Sequence, residues 1–233
     1  MELKEFSNII NSQLIKLKIE TNKEMLSKLF KFMNLLIEWN QKMNLTAIKD
    51  EKEIIQKHFV DSLTILKKIQ GEDMVIDVGT GAGFPGIPLK IANEKIKITL
   101  VDSLKKRTIF LETVVKELEL KNVSIIHSRA EDLSKNEEHR EKYNVVVSRA
   151  VANTSVLAEY MLPFAIITGK AVCMKGPNCL EEIEESKEII TKLGGKIERI
   201  EEIILPESDM RRNIIEIIKV NNTPKQFSKK NNR

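Results

Sequence analysis

The segment Val75-Ile76-Asp77-Val78-Gly79-Thr80-Gly81-Ala82-Gly83-Phe84-Pro85-Gly86 constrains the fold of this chain more than any other. A short β-branched run enters a glycine-rich turn and leaves it into an apolar stretch with helical spacing, which reads as strand, turn and helix. Glycines in such a turn permit positive φ and let backbone approach a ligand closely. Open α/β sheets bind nucleotides at this place, the carboxyl end of the first parallel strand.

The rest of the chain supplies the other layers of such a sheet. Apolar strand-like runs occur at 74–78, 97–102, 123–127, 144–148 and 170–175, with amphipathic stretches near 86–93, 104–120, 154–166 and 180–193 between them. Alternation of this kind predicts βαβ units and a mostly parallel sheet. The runs 196–205 and 211–220 are joined by the turn Pro206-Glu207-Ser208-Asp209-Met210 with no helix between them, which predicts a closing antiparallel hairpin. That outline is the α/β, Rossmann-like one of class I S-adenosylmethionine-dependent methyltransferases. Residues 1–70 contain no Gly or Pro, and Leu26, Leu29, Phe30, Met33, Leu36 and Ile37 share a face, so a helical N-terminal extension is expected. The expected organisation is extension 1–70, catalytic domain 71–220 and a basic, flexible tail 221–233.

Composition excludes several classes. With 42% hydrophobic and 31% charged residues the chain is neither disordered nor membrane-embedded, and no apolar run reaches the roughly 18 residues of a span. No signal segment is evident, so the expected location is cytoplasmic, without a membrane partner. Cys173 and Cys179 lie close together without neighbouring His, so neither a disulfide framework nor a metal site is expected.

Three features bear on the cofactor. Asp102 ends the second strand, where a carboxylate accepts hydrogen bonds from ribose hydroxyls. Gly81 to Gly86 formally matches the dinucleotide fingerprint, but Asp77 precedes the first glycine of a D-x-G-x-G-x-G pattern, and Pro85 interrupts the turn where a pyrophosphate needs N–H groups. Asp77 would attract the cationic methionine end of S-adenosylmethionine and repel a pyrophosphate. The expected contacts are therefore Asp77 and the turn residues Gly79, Thr80 and Gly81, with a dinucleotide as the competing reading. Ser128-Arg129-Ala130-Glu131-Asp132 supplies an acidic loop beside the ribose, either to read an adenine amino group or as a helix N-terminus with acids favourable to its dipole.

The fourth strand ends in Ser148-Arg149-Ala150, without the N/D-P-P-Y/F motif of amino-group methyltransferases. Cys173 lies inside a strand and lacks the Pro-Cys context of cytosine-C5 enzymes. A target that is already nucleophilic, such as guanine N7, needs alignment and no dedicated general base. Arg149 is then the candidate substrate-positioning residue, on the cofactor carboxylate or on guanine acceptors. Ser103 is read as a helix N-cap, and Lys105, Lys106 and Arg107 put three cations where they oppose the helix dipole, which suggests RNA phosphates; Arg211, Arg212 and tail cations Lys225, Lys229, Lys230 and Arg233 add to this surface. Asn40 and Asn44 continue an apolar face and need partners, in a backbone turn or at the pocket mouth. His58, Asp61 and Ser62 share one short helical stretch and are poorly placed for a hydrolase triad.

The motifs 39–46 (W-N-x-x-x-N-L-T), 58–63 (H-F-x-D-S-L), 77–89 (D-V-G-T-G-A-G-F-P-G-I-P-L), 102–107 (D-S-L-x-K-R), 128–132 (S-R-A-E-D) and 148–152 (S-R-A-V-A) together closely resemble the bacterial RsmG (GidB) family over about residues 35 to 180. That resemblance implies a 16S rRNA guanine-N7 methyltransferase acting on a hairpin loop near the decoding centre of the small subunit; separately from it, a monomer is expected. It further implies that Gly79, Phe84, Ala130, Glu131 and Arg149 contact S-adenosylmethionine, with S-adenosylhomocysteine as product, and that 16S rRNA or a small-subunit particle is the partner.

Overall fold

The computed structural model describes residues 1–149 and 152–225. Two long helices open the chain, α1 (Leu3–Lys16) and α2 (Lys23–Met43). In α2 the buried Met25, Leu29, Phe32, Met33 and Leu36 recur at helical spacing, Asn22 caps the start by accepting from Met25 N–H, and Asn44 in the left-handed region ends it. A third helical run begins with α3 (Glu51–Ile54), widens into a π-helical stretch at Ile55–Val60 and finishes as α4 (Asp61–Leu63). Extra width of this kind turns side chains away from ordinary α-helical directions and is frequent at functional sites.

The sheet follows: β1 (Met74–Val78), α5 (Gly86–Ala92), β2 (Lys97–Asp102), α6 (Lys105–Glu117), β3 (Val123–His127), α7 (Ala130–Leu133), β4 (Tyr143–Ser148), α8 (Thr154–Met161), β5 (Ala165–Lys175), α9 (Leu180–Lys192), β6 (Gly195–Ile204) and β7 (Arg211–Lys219). Strand order is β3-β2-β1-β4-β5-β7-β6, parallel from β3 to β5 and antiparallel for β7 and β6. This is the α/β sheet with closing hairpin expected from the sequence. One expected boundary shifts: α8 stops at Met161 and not near 166, because Pro163 cannot continue the helix, and β5 starts at Ala165 and not at 170. The residues before Lys170 escaped the strand reading because a bulge interrupts their pairing, Tyr143 facing Ala165 and Val145 facing Lys170.

The expected N-terminal extension does not stand apart. Phe6, Phe32 and Phe59 from the first three helical runs share one buried cluster with Phe84, Phe110 and the sheet residues Val75, Ile98 and Val145. The opposite face is closed by α8 and α9 through Met161, Ile183 and Ile190. The start of the expected flexible tail is also docked: Thr223 is buried, its N–H donating to Glu141 (2.8 Å) and its hydroxyl to the Leu193 carbonyl (2.7 Å). Lys229, Lys230 and Arg233 lie outside the described residues, as do Ala150 and Val151. With both faces covered, the open edge for a ligand is the carboxyl ends of the parallel strands.

Candidate cofactor and substrate site

Two cavities open along that edge. The first, about 410 Å³, is bordered by Gly79, Asp102, Arg107, Ala130, Glu131 and Tyr160. Asp102 is almost wholly enclosed, with Oδ2 accepting from Gly81 N–H (2.9 Å) and Oδ1 from Leu104 N–H (2.9 Å). Arg107 completes its surroundings through an ion pair of 3.1 Å. Arg107, expected to face RNA, therefore turns into this cavity, and Asp102 in place of Ser103 serves the start of α6. The helix-start reading of the segment after β3 is what the backbone shows, α7 starting at Ala130 with two acids in its first turn, and Ala130 and Glu131 also border the cavity. Tyr160, on α8, sits beside Glu131 across the cavity, and burial together with that carboxylate raises its hydroxyl pKa. No sequence pattern marked Tyr160, because only the docking of α8 brings it here.

The glycine turn is closed on itself. The N–H groups of Gly79 and Thr80 both donate to Val101 O, that of Gly81 to Asp102, those of Gly83 and Phe84 to Thr80 O, and that of Gly86 to Asp77 Oδ2 (2.8 Å). A dinucleotide pyrophosphate needs such donors free. Asp77 lies beneath the turn, fully enclosed, also accepting from the Thr80 hydroxyl (2.6 Å), and burial raises its pKa to about 6. The carboxylate thus lies under the turn and not at the cavity surface, and its Oδ1 has no hydrogen-bond partner among the described residues. Gly79 adopts φ +73°, and a Cβ built on it would meet nothing in the protein, so the turn leaves room on the cavity side. An open Gly79, an enclosed ribose-type carboxylate and a turn in which, among the described residues, only the Ala82 N–H is without a partner fit an adenosyl group carrying no phosphate.

The second cavity, about 570 Å³, lies towards β5 and is bordered by His58, Asp61, Arg149, Lys175, Glu182 and Arg212. Arg149 leaves the end of β4 and is clamped: Nη1 donates to the Lys57 carbonyl (2.8 Å) and approaches Asp61 Oδ2 (3.5 Å), Nη2 donates to His58 Nδ1 (3.0 Å), and the guanidinium lies 5.1 Å from the Phe84 ring centre. His58 stacks on Phe84 at 4.5 Å and meets the Thr46 hydroxyl through Nε2 (2.9 Å). Burial, then the Arg149 charge, lowers its pKa to about 3. Accepting from Arg149 at Nδ1 assigns the proton of this neutral ring to Nε2. Asp61 bridges Arg149 and, at 3.2 Å, Arg212; even so, burial outweighs the two cations and raises its pKa.

These geometries relocate several expected contacts. Phe84 belongs to the aromatic core under Arg149 and does not border the first cavity, while Arg149 borders the second. Arg212 is spent on Asp61, Arg211 pairs with Glu202 (3.1 Å), and Lys106 donates to the Met43 carbonyl (2.8 Å); Lys105 makes no such contact among the described residues. Ser62 bonds the His58 carbonyl, so no triad forms. Asn40 satisfies a backbone turn, exchanging two 2.9 Å bonds with the Thr46 peptide groups. Cys173 is buried beside Met161, and burial pushes its thiol up to about 12, which removes it as a nucleophile. Among the described residues no group of three or more His, Cys, Asp or Glu converges to hold a metal ion.

A family model described as rRNA small subunit methyltransferase G matches residues 25–215. The ribosomal RNA small subunit methyltransferase G of Acetivibrio thermocellus is 49% identical over 216 residues, 92% of this chain and 89% of its own. That of Clostridium botulinum (strain ATCC 19397 / Type A) is 47% identical over 228 residues, 97% and 95% of the two chains. Among solved structures, a SAM dependent methyltransferase from Aquifex aeolicus superposes with a TM-score of 0.53 at 21% identity, over 71% of this chain and 93% of its own. Aeropyrum pernix fibrillarin with natively bound S-adenosyl-L-methionine gives 0.52 at 15%, over 64% and 67%. At such identities the structural likeness speaks for the fold alone.

Proposed function

The chain belongs to the rRNA small subunit methyltransferase G family, and we propose that it transfers a methyl group from S-adenosylmethionine to N7 of a guanine in 16S rRNA. The hairpin loop near the decoding centre is the proposed position. The observation that carries the cofactor half of this reading is the glycine turn beside Asp102, whose N–H groups other than that of Ala82 already have partners, which suits an adenosyl group and leaves too few donors for a pyrophosphate.

When bound, S-adenosylmethionine supplies an electrophilic methyl group. In the first cavity Asp102 would accept from the ribose hydroxyls, Ala130 and Glu131 would hold the adenosyl end, and Gly79 leaves open space beside them. Asp77 keeps the turn in shape and puts negative charge below it. Arg149, held rigid by Asp61, Lys57 and His58, offers donors to guanine acceptors in the second cavity. Guanine N7 presents its lone pair without losing a proton, so alignment carries the catalysis. Lys105 and Lys106 supply phosphate attraction at the rim, and Arg107, Arg211 and Arg212 join them only by leaving their carboxylate partners.

No helix among the described residues is long and apolar enough to cross a membrane. We place the protein in the cytoplasm, acting as a monomer on 16S rRNA or small-subunit particles. The test is transfer of labelled methyl from S-adenosylmethionine to particles lacking the modification, followed by nucleoside analysis. Label in 7-methylguanosine is the expected result; binding of the donor without any transfer to particles or to naked 16S rRNA overturns the substrate assignment.

A further inference from the structure

A third cavity, about 300 Å³, lies beside the substrate-side cavity and takes no part in the chemistry above. Its apolar floor is Leu36 and Ile54, both buried, and its rim carries Gln41, Asn44 and Lys49. The two cavities share a wall, since Ile48 borders both. That wall is stiff: Thr46 exchanges backbone bonds with Asn40, and its hydroxyl joins His58, which borders the neighbouring cavity, to the Ile48 N–H (3.1 Å). The three rim side chains make no hydrogen bond or ion pair with any described residue, so two amides and one cation stand exposed around an apolar floor.

We propose that this cavity is a subsite for an unpaired nucleotide adjoining the methylated guanine. The inference rests on the RNA reading given above and adds a place where the substrate's neighbour is held. Its volume falls at the lower end of the roughly 300 to 1,000 Å³ range of small-ligand pockets, enough for one nucleoside and not for a duplex. Unpaired RNA bases are recognised when splayed out onto apolar surface and hydrogen-bonded along their edges, and a Gln or Asn amide pairs with such an edge through one donor and one acceptor. Lys49 supplies the charge for the attached phosphate. Adjacency across Ile48 assigns the occupant to the strand whose guanine enters the neighbouring cavity.

Two measurements decide it. The first is steady-state methyl transfer to unmodified small-subunit particles by a variant carrying Gln41→Ala, Asn44→Gly and Lys49→Ala; glycine at 44 keeps the left-handed backbone that ends α2. The expected result is a KM for particles raised about five- to twentyfold, as for loss of two or three exposed polar contacts. The turnover number and the affinity for S-adenosylmethionine stay within about twofold of the parent, since none of the three side chains borders the donor cavity. Lys121→Ala, at the rim of a cavity beside the start of α2 and just before β3, at the amino-terminal edge of the parallel strands, serves as control and leaves the KM unchanged. The second is photocrosslinking from Gln41→Cys bearing a thiol-directed benzophenone, which the buried Cys173 and Cys179 leave as the one reactive position among the described residues. Crosslinks to 16S rRNA next to the methylated guanine support the subsite. An unchanged KM in the triple variant, or crosslinks to ribosomal protein, overturns it. Crosslinking needs no methyl transfer, so a failure of the proposed reaction and a failure of the subsite give different results.

Discussion

Arg107 Nη1 stands 3.1 Å from Asp102 Oδ2, so the carboxylate that is to accept the ribose hydroxyls already holds a guanidinium. Ribose and Arg107 then compete for it. Asp102→Ala is expected to weaken S-adenosylmethionine binding at least about tenfold, the usual scale for hydrogen bonds to a charged group. Arg107→Ala is expected to leave it within about threefold or to tighten it, as the one competitor with full charge is gone. Calorimetric titration of both variants decides, and equal weakening would mean that Arg107 helps to hold the donor.

Gly79 separates folding from binding. Its φ of +73° makes Gly79→Ala cost about 1 to 2 kcal/mol in backbone strain. No protein atom would meet the added methyl, which projects into space the donor must use. Donor affinity should fall by far more than thermal stability does, and a variant that loses stability but binds normally would place the donor elsewhere.

Asp77 gives a pH signature. Its folded pKa of about 6 lies above the ordinary carboxylate value of 3.8, so the folded state holds the proton more tightly and loses stability as pH rises through that window. Asp77→Asn should be the more stable protein at pH 8, by up to about 3 kcal/mol, with the gain shrinking between pH 6 and pH 4. Denaturant melts across pH read this directly. If donor affinity is untouched by the substitution, the carboxylate serves only the turn.

His58 acts in the opposite direction. A pKa lowered from 6.5 to about 3 means that the unfolded chain takes up a proton first, so the contribution of the neutral ring is intact above pH 6.5 and is lost as pH falls towards 3. Nitrogen NMR at pH 5 should show a neutral ring with the proton on Nε2. A cationic His58 at that pH would be incompatible with donation from Arg149 to Nδ1.

Lys106 tests the nucleic-acid rim. Its bond to the Met43 carbonyl is exposed, so Lys106→Ala should spare both the fold and donor affinity. Binding to 16S rRNA should weaken, with the slope of log K against log salt falling by about one. An unaltered slope would remove this lysine from the interface.

Much of this architecture is written locally. Five β-branched runs, the Gly79 turn and the hairpin at 206–210 place the strands, because pleat period and turn chemistry act over a few residues. Asp102 was legible as a strand-end carboxylate at the ligand edge, where it borders the first cavity, and the run of motifs from Trp39 to Arg149 carries the family likeness. Even the closing of Asn40 onto a turn was one of two partners its helical face allowed.

Sequence by itself therefore determined the elements, the cofactor class and the family. Tertiary structure alone decided whom each charge meets. Asp61 looked like a poorly placed triad member; crossing connections bring it to Arg149 and Arg212, 88 and 151 residues away, and turn it into the anchor of both guanidinium groups at the second cavity. Arg107 looked outward from its helix and instead neutralises Asp102. Local spacing fixes which face a side chain occupies, but the partner of a half-buried charge depends on the low-dielectric surroundings that packing assembles from distant segments, and no short stretch of chain contains that information.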